Sequence, residues 1–228
     1  MFDARPLQGR LNARGYALAV DGDPGPKTFA ALFAFVGRAK VTPPIVELGA
    51  AAARWFPDAG LTSSIRIAHA LAQWAVETGG FSRFEENLSY SAERLIAVWP
   101  SRFPNRRTAD PFAGNPVALA NKVYGGRCGN KAAGDGWLFR GRGPTMLTFR
   151  DNYAEAARLT GLDVVADPDS VSEADTGLRV ACAYWTARKI NVSADRDDAE
   201  DVRYLVNGGK IGIVEAKAYL ARAKQVLA

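Results

Sequence analysis

Between Leu61 and Gly80 the apolar residues Ile65, Ala68, Leu71, Ala72, Ala75 and Val76 return every three or four positions, the period of a helix with one buried face. Ser63 or Ser64 is available as its N-cap and the Gly79-Gly80 pair as its stop. The same period recurs in IVELGAAAARW, SAERLIAVW, VALANKVY, RDNYAEAARLTG, DRDDAEDVRYLVN and EAKAYLARAKQVL. Strand-like alternation is limited to a short candidate piece at Trp137 to Phe139. A chain patterned this way is predicted to be mostly α, with the run from about Asp175 to Lys189 as its central buried helix. At 228 residues and 48% hydrophobic content it has room for one sizeable domain and a small module.

No run of 18 apolar residues occurs, so no membrane-spanning helix is expected. The start MFDARPLQGRLNARG lacks a basic-then-apolar signal, which predicts synthesis in the cytoplasm without a cleaved leader. Twenty-nine Lys and Arg against 24 Asp and Glu leave a net charge of +5, which suits an anionic partner such as cell wall. The basic residues are dispersed, which argues against nucleic acid. Cys128 and Cys182 are too few for a disulfide framework, and with one histidine they make no zinc site. Free thiols, no metal and no cofactor are expected. The lone His69 also excludes HExxH metalloproteases.

His69, Gln73 and Glu77 lie four apart and form a polar stripe, which either faces water or lines a cleft. Glu77 falls in the last helical turn, where the partial negative charge of the helix end disfavours a charged carboxylate by roughly 0.3–1 kcal/mol when exposed. That direction suits a proton donor. Glu86 follows nine residues later, beyond a diglycine turn that lets the chain fold back. Two carboxylates brought together in this way are the minimum equipment of a glycoside hydrolase.

Residues 1 to 40 read as a small module, with VDGDPGP as a turn and KTFAALFAFV as a helix. The order LQ, LN, G, VDGDPGPKTFAAL resembles the peptidoglycan-binding modules of bacterial and phage cell-wall hydrolases, lacking their first helix. GRAKVTPP follows as a linker whose paired prolines stop any helix. Residues 41 to 228 form the larger domain. The glycine-dense stretch 104–136 is expected to wall a cleft. In GWLFRGRGPTMLTFRDNY, Trp137 and Phe139 offer flat faces for sugars, and Arg140 and Arg142 should point the same way if the chain is extended. Thr148 and Asn152, four apart, can hold a water or an N-acetyl group, although helix capping by Thr148 is equally adequate.

WAVETGGFSRFEENLSYSAERL, ANKVYGGRCGN, GDGWLFRGRGPTMLTFRDNY, ADPD and VNGG stand in the order of the plant-type chitinases, glycoside hydrolase family nineteen, and look most similar to its phage-endolysin and bacterial branch. The resemblance spans about residues 45 to 228. It implies a lysozyme-like α fold with a deep cleft and an inverting mechanism. By position, Glu77 matches the general acid, Glu86 the general base and Thr148 the hydroxyl that helps hold water. Asn152 and Asn207 match amides that bind N-acetyl sugars, and Arg142 belongs to the same cleft motif. Gln73 and Trp137 join them as candidate substrate contacts. Met146 stands where the family usually has glutamine, so one amide contact to sugar is absent. The expected function is an endolysin that cleaves β-1,4 bonds of peptidoglycan after release through a holin, with a chitinase or a non-catalytic wall-binding protein as rivals. Peptidoglycan strands or chitin oligomers are the expected partners, and nothing requires more than a monomer.

Overall fold

The computed structural model describes residues 2–228, and thirteen α-helices lie among them. Helices α1 (Arg5–Asn12), α2 (Pro26–Gly37) and α3 (Pro43–Trp55) each carry proline in the first turn, where its missing N–H would have no helical partner anyway. The expectation that Pro43-Pro44 block a helix is therefore corrected, because they open one. Helix α4 (Ser64–Thr78) starts where Ser63 Oγ accepts from the Arg66 N–H and stops at Gly79, whose φ of 59° is left-handed. Four helices follow: α5 (Ala92–Val98), α6 (Arg106–Ala109), α7 (Pro116–Tyr124) and α8 (Asp135–Leu138). The chain ends with α9 (Arg150–Thr160), α10 (Ala174–Ala187), α11 (Asn191–Asp195), α12 (Ala199–Asn207) and α13 (Ile213–Leu227).

The short strand expected at Trp137 to Phe139 is instead the turn of α8. Buried Asp135 draws the chain into that turn by accepting from the Lys131 and Ala132 N–H groups, both at 2.9 Å. Among the described residues β structure is limited to isolated bridges, Glu85 to Arg142 and Arg142 to Leu147. The fold is mostly α, as the periodicity predicts. No helix of the described residues is long and apolar enough to cross a membrane.

The main core joins Phe29 and Phe33 of α2, Phe56, Trp74 of α4 and Trp185 of α10. Phe29 meets Phe56 edge-on at 5.1 Å, and Trp74 meets Trp185 edge-on at 6.0 Å. Burying such a side chain contributes roughly 1.5–3 kcal/mol. All nine residues from Ile67 to Ala75 are buried, so α4 and not the Asp175–Lys189 run is the central helix. A second core gathers around Leu95, Phe103 and Leu119, and a third around Phe139, Tyr153 and Val180. Where α2 ends, its backbone touches the turn after α4: a Cβ on Gly37 would lie 2.4 Å from the Gly80 carbonyl oxygen.

His69 lies in the middle of α4 at 0% exposure, with Nε2 2.8 Å from Asp197 Oδ1. Lys224 Nζ donates to the same carboxylate at 2.5 and 2.7 Å. Burial pushes the imidazole below its usual 6.5, opposed by the bond to Asp197 and the charges of Asp197 and Asp198, and assisted by Lys224. The unfolded chain therefore takes up this proton at a higher pH than the folded one. Stability is intact above about pH 6.5 and is lost as the pH falls below it, by about 1.4 kcal/mol per unit of pKa separation. Melting temperature followed from pH 7.5 to 5.5 should decline in wild type, and the decline should flatten in His69→Gln, whose amide can still donate to Asp197. Equal slopes would remove His69 as the cause.

Candidate active site

Thr78, fully buried, fixes the end of α4: its Oγ1 donates to the Trp74 carbonyl at 2.6 Å and accepts from the Phe81 N–H at 2.9 Å. Gly80 and Phe81 continue with φ of 74° and 62°, which turns the chain back beneath the helix end. Glu77 is left at the rim with 21% of its side chain exposed. Its Oε1 accepts from Arg203 Nη1 at 2.8 Å. Arg203 is 2% exposed and also donates to Gln73 Oε1 at 3.2 Å and to the Ile211 carbonyl at 2.7 Å. Besides the helix-end field expected at Glu77, its surroundings thus include a guanidinium in direct contact.

Glu86 is placed by backbone pairing, its N–H donating to the Gly141 carbonyl at 2.9 Å. Its Oε1 accepts from the Tyr124 hydroxyl at 2.6 Å. Burial, reinforced by the neighbouring Glu86 charge, pushes the Tyr124 phenol up, so it remains a donor. A Cβ added to Gly141 would lie 3.3 Å from Glu86 Cβ, Glu86 Oε2 and Thr148 Oγ1, closer than side chains ordinarily pack, so a glycine here lets Glu86 and Thr148 come close to the backbone between them. Thr148 Oγ1 donates to the Met146 carbonyl at 2.8 Å, which leaves its lone pairs for a hydrogen-bond donor. It caps no helix, because the N-cap position of α9 is Phe149. Met146 and Phe149, at φ of 47° and 77°, flank Thr148 with left-handed backbone that non-glycine residues adopt at a cost of order 1–3 kcal/mol each. The turn that carries Thr148 is held in shape by its surroundings.

Glu77, Glu86, Tyr124, Gly141, Met146 and Thr148 face one cavity of about 530 Å³, with Arg83 and Arg94 on its wall. Met146 and Thr148 also line a second cavity of about 400 Å³, which Asn152 borders. Asn152 donates to the Thr148 carbonyl at 2.7 Å. Exposed Asn207, at the end of α12, donates to the Ile211 carbonyl that Arg203 also uses.

Two candidate contacts, Gln73 and Arg142, are corrected, and a third, Trp137, is half-buried. Gln73 is 1% exposed and turned to Arg203, so the polar stripe of α4 faces protein partners before it reaches the cleft at Glu77. Arg142 is 0% exposed; it donates to the Leu138 carbonyl, Tyr153 and Asp169, and so braces the turn from beneath. Trp137 packs against the second core with Arg140 over its ring at 3.9 Å, which closes one face to a sugar. Phe139 is buried as well. Arg140 and Arg142 do converge, since both reach Asp169.

Sequence reasoning did not single out Tyr124 or Arg203. A signal for Arg203 was present: it stands four after Ala199 and three before Val206, on the apolar face of its helix. Cys128 is exposed and Cys182 buried, neither in a disulfide. Among the described residues no group of three or more His, Cys, Asp or Glu is placed to hold a metal.

A helical scaffold that turns two carboxylates and a hydroxyl toward one polar cavity is that of a glycoside hydrolase. A glycosyl hydrolase family 19 domain-containing protein of Haemophilus influenzae is 37% identical over 167 residues, 72% of this chain and 81% of the relative. The chain belongs to glycosyl hydrolase family 19. Chitinase 2 of Oryza sativa subsp. japonica is 33% identical over 63 residues, 27% of this chain and 18% of that protein. The crystal structure of chitinase C from Streptomyces griseus HUT6037 superposes with a TM-score of 0.58 at 18% identity, covering 87% of this chain and 77% of that one, a likeness of fold. No protein-family model matches the chain.

Proposed function

We propose that this hydrolase is an endolysin-type enzyme that cuts β-1,4 bonds of peptidoglycan with inversion, Glu77 acting as general acid and Glu86 as general base. The observation that carries the reading is the cavity of about 530 Å³ that Glu77, Glu86 and Thr148 line together. A water seated there gives one proton toward Glu86 Oε2 and the other toward Thr148 Oγ1, leaving a lone pair for the anomeric carbon. Tyr124 holds Glu86 Oε1 at 2.6 Å, while Oε2 takes only a long bond from the Gly141 N–H at 3.4 Å, so Oε2 is the oxygen with room to take the proton. On the other carboxylate Arg203 occupies Oε1, so Oε2 of Glu77 is the oxygen that protonates the departing sugar. Attack from the face opposite the leaving group inverts the anomeric centre.

The wall as substrate is supported by the charge of +5 and by Arg83 and Arg94 beside the carboxylates, which suit an anionic polymer. It is further supported by the resemblance of residues 1 to 40 to wall-binding modules, and we assign those residues to holding the enzyme on its substrate. The second reading is a chitinase, favoured by the likeness to the rice and Streptomyces chitinases. Digestion of defined peptidoglycan, with fragment masses and early proton NMR of the new reducing ends, tests the proposal. Muropeptide-sized fragments with an α-anomer first are expected. Turnover of soluble chitin oligomers with no new reducing ends from peptidoglycan would replace it with the chitinase reading.

Gly141→Ala tests the water's seat. The methyl group demands no new backbone conformation but presses on Glu86 and Thr148 at 3.3 Å, so these must give by a few tenths of an ångström; melting should shift modestly while kcat falls by about 10²-fold, the lower end of what a general base supplies. A variant with unaltered kcat would show that the water sits elsewhere.

A further inference from the structure

The roughly 400 Å³ cavity that shares Met146 and Thr148 with the carboxylate cavity is lined by residues of α9 and α10. It is more than ten times the roughly 30 Å³ share of a water molecule in the liquid. Leu159, Val180, Ala187 and Val206 give it an apolar wall, and Arg188 and Glu155 are its charged residues. Glu155 is neutralised, since Arg158 donates to both of its oxygens at 2.6 and 2.8 Å. Arg188 is different: its guanidinium lies 4.3 Å from the centre of the Tyr184 ring, and among the described residues no carboxylate pairs with it. The ring beneath it is fixed, because the Tyr184 hydroxyl donates toward the Leu205 and Val206 carbonyls at 3.3 and 3.0 Å. The result is a recess with an apolar wall and a polar rim, and with the exposed, unpaired cation of Arg188 held over the Tyr184 ring at its edge.

An unbranched N-acetylglucosamine polymer carries hydroxyl and acetamido groups and no charge to meet such a cation. The glycan of peptidoglycan carries, on alternate sugars, a lactyl ether extended by a peptide with methyl groups and free carboxylates. We propose that this cavity receives that branch, its apolar wall taking the lactyl and alanyl methyls and Arg188 a carboxylate of the peptide. The inference rests on the peptidoglycan reading above and makes Arg188 a specificity-determining contact for it.

The test compares soluble glycan strands that bear peptides with the same strands stripped of peptide by an amidase, as the ratio of the two kcat/KM values. For Arg188→Glu the ratio is expected to fall by about tenfold or more, chiefly through KM of the peptide-bearing strands, the scale of one charge-assisted hydrogen bond. Arg188→Lys, which keeps the charge, should restore most of it. A ratio that stays at the wild-type value in Arg188→Glu, or a fall confined to kcat, would overturn the proposal and leave the peptidoglycan reading standing. Wild-type enzyme that cleaves neither kind of strand would overturn both, a result read without any variant.

Discussion

Glu77→Gln protein is expected to fold as wild type and to lose about 10²–10⁴-fold in kcat on its natural glycan, the contribution typical of one positioned acid or base. The amide still accepts from Arg203 but has no proton to give to the leaving sugar. Replacing the leaving sugar by a nitrophenolate, which departs unprotonated, should recover much of the loss. Glu86→Gln should lose a similar factor on both substrates, because an unactivated water limits either reaction. The pair of measurements separates the two roles. If the aryl glycoside rescued Glu86→Gln and left Glu77→Gln inactive, the assignment of acid and base would be reversed.

Arg203→Met carries the second large effect, and it acts on stability and turnover together. The guanidinium, 2% exposed, holds Glu77, Gln73 and the Ile211 carbonyl at once. Removing it leaves the Glu77 carboxylate and the Gln73 amide oxygen without this donor, and the Ile211 carbonyl with only the longer bond from Asn207. Breaking a buried pair from one side costs on the order of 3 kcal/mol, and at about 2–4 °C per kcal/mol for a chain of this size the melting temperature should drop by roughly 6–12 °C. The drop in kcat should exceed what the loss of folded protein explains, since Glu77 loses the contact that aims it. Arg203→Lys should recover little, because one ammonium cannot reproduce three donors in a fixed plane. Arg203→Met protein with wild-type melting and wild-type kcat would remove Arg203 from the site.

The legible part of this chain is what neighbours in sequence decide. The caps at Ser63 and Gly79, the helical period of α4 and the fold-back after Gly80 are local, and together they carry Glu77 and Glu86 to one cavity. What sequence reasoning missed depends on partners far along the chain. Gln73 reads as a cleft residue until Arg203, 130 positions away, takes its oxygen. Arg142 reads as a sugar contact until Asp169 and Tyr153 enclose it. The apolar triplet at Trp137 resembles a strand because three residues cannot distinguish one helical turn from an extended segment, and Asp135 decides for the turn through backbone N–H groups preceding it. Pro43 and Pro44 are ambiguous in sequence for a related reason: the same residue that ends a helix also begins one.

The contact between Gly37 and Gly80 limits how this enzyme can be re-engineered. With Cβ atoms on those residues 2.4 and 2.6 Å from the facing carbonyl oxygens, neither position accepts a side chain, and the last turn of α2 serves as a seat for the bend that follows Glu77. Exchanging the first forty residues for another module would therefore disturb the bend beside Glu77, unless the replacement ended in a helix presenting a bare backbone at the same spot. A chimera that respects this seam keeps the end of α4, and with it the placing of Glu77, unchanged.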